Sequence, residues 1–383
     1  MMNMSRKYVV SIIGLIFFTM LASVSTAQEW TWTTSQIDIE GTDSSVAVDH
    51  DGNIHVGYGL QGGNKLKYAF LPAGGSHWFN LNIDTGLGDF LNGIALDSQA
   101  NPYICYTPGV LKLAAFDGKH WRTQQIDAGN GLVSYYCSVK FGKDGTPHLS
   151  WYVESKRLLR YAVLRDGVWK ARDVDTQDFP GKFNSLVIDR SGYPELSYIG
   201  LYGTKLKYAR FDGKDWTRLI LESPFQGLAR SLGDTGMGNS IALDNDGNPM
   251  VSYFDTSALK FAQVVKGTWK FDVIDSFPRL DQWGWRYFRS NTVLDKSGHP
   301  HIGYESPLGL KHAWWDGQQW KTQVILAPTG SFFNSGMTMD DRNNLYFSYT
   351  DPLQNTLVLA VGHYSGDQQA ARTQSSARRE KDR

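Results

Sequence analysis

Outside its first 28 residues, this chain of 383 residues has no segment that sustains a 3.6-residue apolar period. Helical architectures are thereby set aside. A large excess of charge of either sign is also missing. The 38 basic and 38 acidic residues, less two basic residues near the start and five basic and three acidic at the end, leave 31 against 35 for the body. A body that is slightly acidic has no electrostatic footprint for nucleic acid. Long apolar runs are confined to one, Tyr8 to Ala22, which falls short of the roughly 20 residues that span a bilayer. It follows Arg6 and Lys7 and precedes the small residues Ser25 and Ala27, the order of a secretory leader cut after Ala27. We therefore expect residues 1–27 to be removed from an exported protein that does not span the membrane and carries no lipid, there being no cysteine near the cut. Cysteine itself is scarce. Cys105 and Cys137 are the only two, and in an exported chain they are candidates for one disulfide or for two buried thiols.

Turn formers and aromatics, by contrast, are plentiful, with 39 Gly, 19 Tyr, 19 Phe and 13 Trp. The segment 239–275 divides into four short runs, SIALD, PMVSYF, LKFAQVV and TWKFDVID, each alternating apolar with polar or small residues and each bounded by a turn. Relatives of it recur along the chain. Aligned on the residue that ends the first run, the copies fall at Asp49, Asp97, Gly142, Asp189, Asp244, Asp295 and Asp340, with spacings of 48, 45, 47, 55, 51 and 45. The second run carries Tyr58, Tyr106, Trp151, Tyr198, Tyr253, Tyr304 and Tyr349 at one register, and the third is a variant of Leu-Lys-Tyr-Ala.

Four strands per unit at such a period predict the blades of a β-propeller, seven of them, over residues 28–365. The fourth run begins at Trp78, Trp121, Trp169, Trp216, Trp269 and Trp320, one copy too few, but the missing one stands at the opposite end of the chain. Trp32–Asp38 (WTTSQID) matches Trp121–Asp127 (WRTQQID) in register. The N-terminal strand is thus expected to complete blade seven, which removes two open strand edges at once. Beyond the last blade, residues 366–383 are polar and basic and are expected to be disordered.

The strings FDG-x-x-W at Phe116–Trp121 and Phe211–Trp216, with WDG-x-x-W at Trp315–Trp320, fall between third and fourth runs. They resemble the Asp-box turn of the sialidase-like, BNR-repeat propellers, with Asp directly before Gly where that motif has a residue between them. The resemblance is of superfamily rank and implies a propeller. Those propellers include hydrolases, lyases and pure binders, and no arginine triad, tyrosine and acid set of a sialidase can be matched residue by residue here.

The D-x-D-G-N strings at Asp49–Asn53 and Asp244–Asn248 could suggest calcium, but other units replace the carboxylates, so we read them as turns in which Asp bonds its own backbone. No metal or cofactor is expected. Histidines share strand or turn positions, His55, His148 and His301 occupying one register of the second run, and none lies on the rim where loops vary. A histidine-based lyase or Ser-His-Asp hydrolase thereby lacks its base.

That variable rim is formed by the connections from fourth to next first run and from second to third. The longest are Ser223–Gly238 and Ser276–Arg289, and the latter gathers Trp283, Trp285, Tyr287 and Phe288 with Asp281, Arg286 and Arg289. Arg230, Tyr135, Tyr136, Phe179 and Phe183 stand in neighbouring connections. Aromatic faces edged by arginine suit sugar rings. We therefore expect a monomeric exported module that binds carbohydrate or another envelope ligand through this rim. Two alternatives stay open: a polysaccharide lyase or glycosidase, for which Asp234, Asp281, Glu154, Glu305 and Asp351 offer acids, and a protein-interaction scaffold.

Overall fold

A computed structural model describes residues 29–62, 65–86, 93–126, 133–200, 205–223, 237–255, 257–277, 288–327 and 333–365. Within them the strands form seven four-stranded antiparallel sheets, with no α-helix longer than a turn, so the seven-bladed propeller expected from the repeats is the observed fold. No helix among the described residues is long and apolar enough to cross a membrane. Blade one runs Gly41–Val48, Ile54–Leu60, Lys65–Leu71 and Phe79–Thr85 from the axis outward. The innermost strand of each blade lies beside that of the next, and the seventh lies beside the first.

Blade seven takes three strands from the C-terminal end (Phe333–Met339, Leu345–Asp351, Thr356–Tyr364) and its outermost one, Trp30–Ile39, from the N-terminal end. Trp30 pairs with Tyr364 and Ser35 with Leu359, so nine residues of one end are laddered to the other. The ring closes as the unpaired tryptophan register predicts.

Second strands such as Pro147–Val153 are buried on both faces, whereas fourth strands such as Trp121–Gln125 lie on the periphery with most residues exposed. The core is accordingly a set of seams between blades. Five of the seven seams repeat one scheme. The fourth-strand tryptophan of a blade packs edge-on against the third-strand aromatic of the preceding one: Trp121 on Tyr68, Trp216 on Tyr161, Trp269 on Tyr208 and Trp320 on Phe261, with centroids 4.9 to 5.8 Å apart. Trp32 does the same to His312, as its register requires.

Near the axis, a second-strand side chain of one blade meets a first-strand side chain of the next. Ser150 bonds Asn184, Ser197 bonds Asn239, Ser252 bonds Ser290 and Ser348 bonds Ser44, all buried, at 2.5 to 2.9 Å. At the equivalent place in the seam between blades two and three stand Cys105 and Cys137, which are disulfide-bonded with Cα atoms 6.1 Å apart. One covalent bond thus replaces one hydrogen bond of an otherwise repeated set.

At the other side of five seams, a carboxylate ending a fourth strand is held by the tyrosine and lysine of the next blade. Asp84 takes Tyr106 at 2.5 Å and Lys112 at 2.8 Å; Asp175 takes Tyr198 at 2.8 Å and Lys207 at 2.5 Å; Asp275 takes Tyr304 at 2.7 Å and Lys311 at 2.5 Å. Asp38 with Tyr58 and Lys67, and Glu222 with Tyr253 and Lys260, repeat the arrangement. Between blades six and seven the acid is Leu326 and the lysine is Val358, both in the apolar cluster of that seam.

Candidate ligand-binding site

The turns come first, because they account for most of the motif signal. Asp49 Oδ1 accepts the backbone amides of Asp51 and Asn53 at 3.0 and 2.8 Å while Oδ2 accepts from Asn53 Nδ2, and Asp97, Asp244 and Asp340 repeat the set. In the Asp-Gly turns, Asp117, Asp212 and Asp316 each accept two backbone amides. These carboxylates build backbone, as the turn reading expects.

The shared histidine register is also structural. His55 Nδ1 meets Tyr68 Oη at 2.7 Å and His148 Nδ1 meets Tyr161 Oη at 2.5 Å, while His301 Nδ1 meets His312 Nε2 at 3.0 Å. Glu195 with Tyr208 at 2.6 Å occupies the same pair of positions in blade four. Burial pushes the imidazole of His148 down to about 4 and lowers those of His55, His301 and His312 as well.

On the variable rim the structure brings together two of the residues expected there, Tyr136 and Arg289. Both hold the repeat position that precedes the axial Ser/Asn register, as do Phe183, Gly238 and Asp43. At this point the first strand of most blades breaks register in a bulge, and Asp43, Tyr136, Phe183 and Gly238 all take positive φ, between 51 and 69°. A non-glycine residue there costs of order 1–3 kcal/mol and persists only where its surroundings hold it. Here Asn184 does so: its Nδ2 donates to the carbonyls of Tyr136 and Gly181 at 3.0 and 2.9 Å, while its Oδ1 accepts from Ser150. The bulge turns these side chains over the mouth of the axial channel.

Tyr136 and Phe183 stack with centroids 4.3 Å apart, and the Arg289 guanidinium lies 5.5 Å from the Tyr136 ring on blade six's side. Gly238 makes that approach possible. A Cβ there would stand 2.1 Å from the Phe288 carbonyl oxygen and 2.7 Å from Arg289 Cα. Among the described residues nothing accepts from buried Arg289 Nε, and a buried guanidinium donor left open is the kind of group a ligand satisfies. Behind it, Glu305 is buried and accepts from Ser335 Oγ at 3.2 Å; burial pushes its carboxyl well above the usual range, although Arg289 pulls the other way. The channel below encloses about 400 Å³ and is lined by first strands of the seven blades, without one carboxylate among its described lining residues.

Beside this mouth, between blades three and four, opens a cleft of about 310 Å³ lined by Tyr152, Glu154, Ser155, Arg157, Phe179, Lys182 and Ile199. The Arg157 guanidinium sits 4.6 Å from the Phe179 ring and Lys182 Nζ 5.9 Å from the Tyr152 ring. Sequence reading included Phe179 and Glu154 among its rim residues but did not group them with Arg157, Lys182 and Tyr152. Their common signal was position, since Glu154 and Arg157 lie in one second-to-third connection and Phe179 and Lys182 flank the adjoining blade entry.

Arg230, Asp234, Asp281, Trp283, Trp285, Arg286 and Tyr287 lie outside the described residues, as does the side chain of Tyr135. Phe288 turns inward onto Phe254, with centroids 5.8 Å apart, and belongs to the core. Asp351 caps a turn through the amides of Leu353 and Gln354.

No protein-family model matches the chain, and no curated protein matches it either. Solved structures of similar shape are many. A fungal alcohol oxidase in complex with copper is 10% identical over 88% of this chain and 77% of its own, with a TM-score of 0.59. Hydrazine synthase of Kuenenia stuttgartiensis is 11% identical over 85% and 96%, with a TM-score of 0.55. The six-bladed fucose-binding lectin of Aleuria aurantia is 13% identical over 78% and 100%, with a TM-score of 0.48. At such identities the likeness is one of fold alone, and the chemistry must be read from this chain's own residues.

Proposed function

We propose that this is an exported, non-catalytic propeller that binds an acidic carbohydrate at the rim formed by blades three, four and six. The observation that carries the reading is the buried Nε of Arg289, which has no partner among the described residues, at a channel mouth whose described lining holds no carboxylate. A uronate or other sugar carboxylate would meet that guanidinium in a charge-assisted bond. Neighbouring sugar units would run into the cleft, where Arg157 and Lys182 supply further cations and Glu154 an acceptor for hydroxyls. Tyr136 is in contact with both Phe183 and the Arg289 guanidinium, so its role is to hold the arginine. The sialidase-like relationship suggested by the Asp-Gly turns is part of this proposal at superfamily rank.

The test is a screen of the mature protein against acidic and neutral polysaccharides by thermal shift and calorimetry, with the ultraviolet absorbance of an unsaturated product followed in parallel. Binding to acidic chains without new absorbance is expected, and Arg157→Ser with Lys182→Ser should weaken it about tenfold or more, since bonds to charged groups are worth ~1.5–3 kcal/mol each. Arg289→Gln should weaken it similarly. Equal response to neutral chains would sink the proposal, and rising absorbance would establish β-elimination and hence a lyase.

A further inference from the structure

Seven first strands run along the axial channel, so each repeat position becomes a ring of seven side chains. Two residues before the aligned Asp, that ring reads Ala47, Ala95, Lys140, Val187, Ala242, Val293 and Thr338. Six members are small and one is a lysine. Lys140 lines the channel, and no hydrogen bond or ion pair joins it to any described residue. Its side chain is exposed to the channel interior, and the surrounding protein draws its ammonium below the ordinary lysine range.

Two residues nearer the mouth, the ring reads Ser45, Gly93, Ser138, Ser185, Ser240, Asn291 and Gly336, all lining the same channel. Ser185 Oγ accepts the amide of Ile241 at 3.2 Å, and Ser240 Oγ accepts the amide of Thr292 at 3.0 Å. Once a hydroxyl has accepted, its own proton is left to donate, and no described acceptor takes either one. The channel therefore offers an unpaired ammonium, a belt of hydroxyl donors and no carboxylate.

We infer that the axial channel holds a small oxyanion, a carboxylate or phosphate group, bound by the Lys140 ammonium and the hydroxyls of Ser185 and Ser240. This site lies below the mouth, uses none of its residues and does not depend on the carbohydrate proposal. A lone cation among small side chains leaves the space that a compact anion fills, and no described lining residue supplies a carboxylate to pair with it.

Equilibrium dialysis of the full chain with labelled inorganic phosphate and, separately, labelled acetate tests this. Saturable binding of one ion per chain is expected for at least one probe, and the stronger of the two identifies the class. Lys140→Met should reduce it at least tenfold while Lys140→Arg retains it, both with unchanged thermal midpoints and an unchanged response to polysaccharide. If neither ion binds saturably, or if Lys140→Met binds as the parent does, the inference is wrong. Binding that survives Lys140→Met but is lost in Arg289→Gln would put the anion at the mouth and overturn the channel site while sparing the rim reading.

Discussion

At the scale of single residues, the repeats supply their own controls, because one position is filled differently in each blade. His148 and Tyr161 in blade three are Met250 and Phe261 in blade five, where no proton is exchanged. The unfolded His148 takes up a proton near the ordinary value of about 6.5, whereas the folded one resists until about 4. Its contribution is therefore complete above about 6.5 and is lost as pH drops from there to about 4, a loss on the order of 3 kcal/mol at the acid end. We predict that the double variant His148→Met, Tyr161→Phe flattens the decline of urea midpoint over that interval, and that His148→Met alone does so less cleanly because Tyr161 keeps a buried hydroxyl without its partner. Cysteines are open to the same comparison. The loop closed by Cys105 and Cys137, 32 residues apart, is worth about 3–4 kcal/mol in the chain-entropy account. Cys105→Ala with Cys137→Ala should lose about that much. Cys105→Ser with Cys137→Asn, which copies the Ser150–Asn184 bond, should recover about 1 kcal/mol of it, read as a smaller drop in denaturant midpoint.

Strands and their seams follow a second rule, that charges are exchanged in sets. Lys207 and Asp175 are 7% and 2% exposed, and Tyr198 donates to the same carboxylate. Removing one partner strands the other: Asp175→Leu alone should cost about 3–5 kcal/mol. The pair Asp175→Leu, Lys207→Val reproduces the seam of blades six and seven, where Leu326 and Val358 share an apolar cluster and Tyr349 is retained. We expect it to recover most of that loss in a thermal midpoint, and a double variant as unstable as the single would refute the account. The lysine of the Leu-Lys-Tyr-Ala run and the aspartate closing the fourth run were both visible in the sequence. Their meeting was not, because they lie about thirty residues apart in different blades and only the ring packing joins them. The axial Ser, Asn and Cys register escaped reading for the same reason, although the cysteines' place in it was there to be aligned.

For the whole molecule, the decisive feature is closure. Trp30 packs edge-on against both His301 and His312, with centroids 5.3 and 5.0 Å away, and its strand ladders onto the last one. Deleting residues 29–39 would leave the seventh blade with an open edge and uncover that aromatic cluster. We predict a lower thermal midpoint and concentration-dependent light scattering; a truncated chain that stays monomeric with an unchanged midpoint would refute the claim that this strand closes the ring. The amino-acid sequence alone determined the blade count, the strand order within each blade and the source of the closing strand, since these follow from alternation, turn chemistry and the register of one tryptophan, all local or periodic properties. Tertiary structure decided which rim residues meet. Tyr136, Phe183 and Arg289 belong to three blades and converge because they hold one repeat position around one axis, equivalent bulges aiming Tyr136 and Phe183, with Gly238 leaving the room between. It also turned Phe288 into the core and left Lys140 alone in a ring of small side chains. Convergence around an axis joins residues at equal repeat positions across long stretches of chain, and no local pattern encodes that distance.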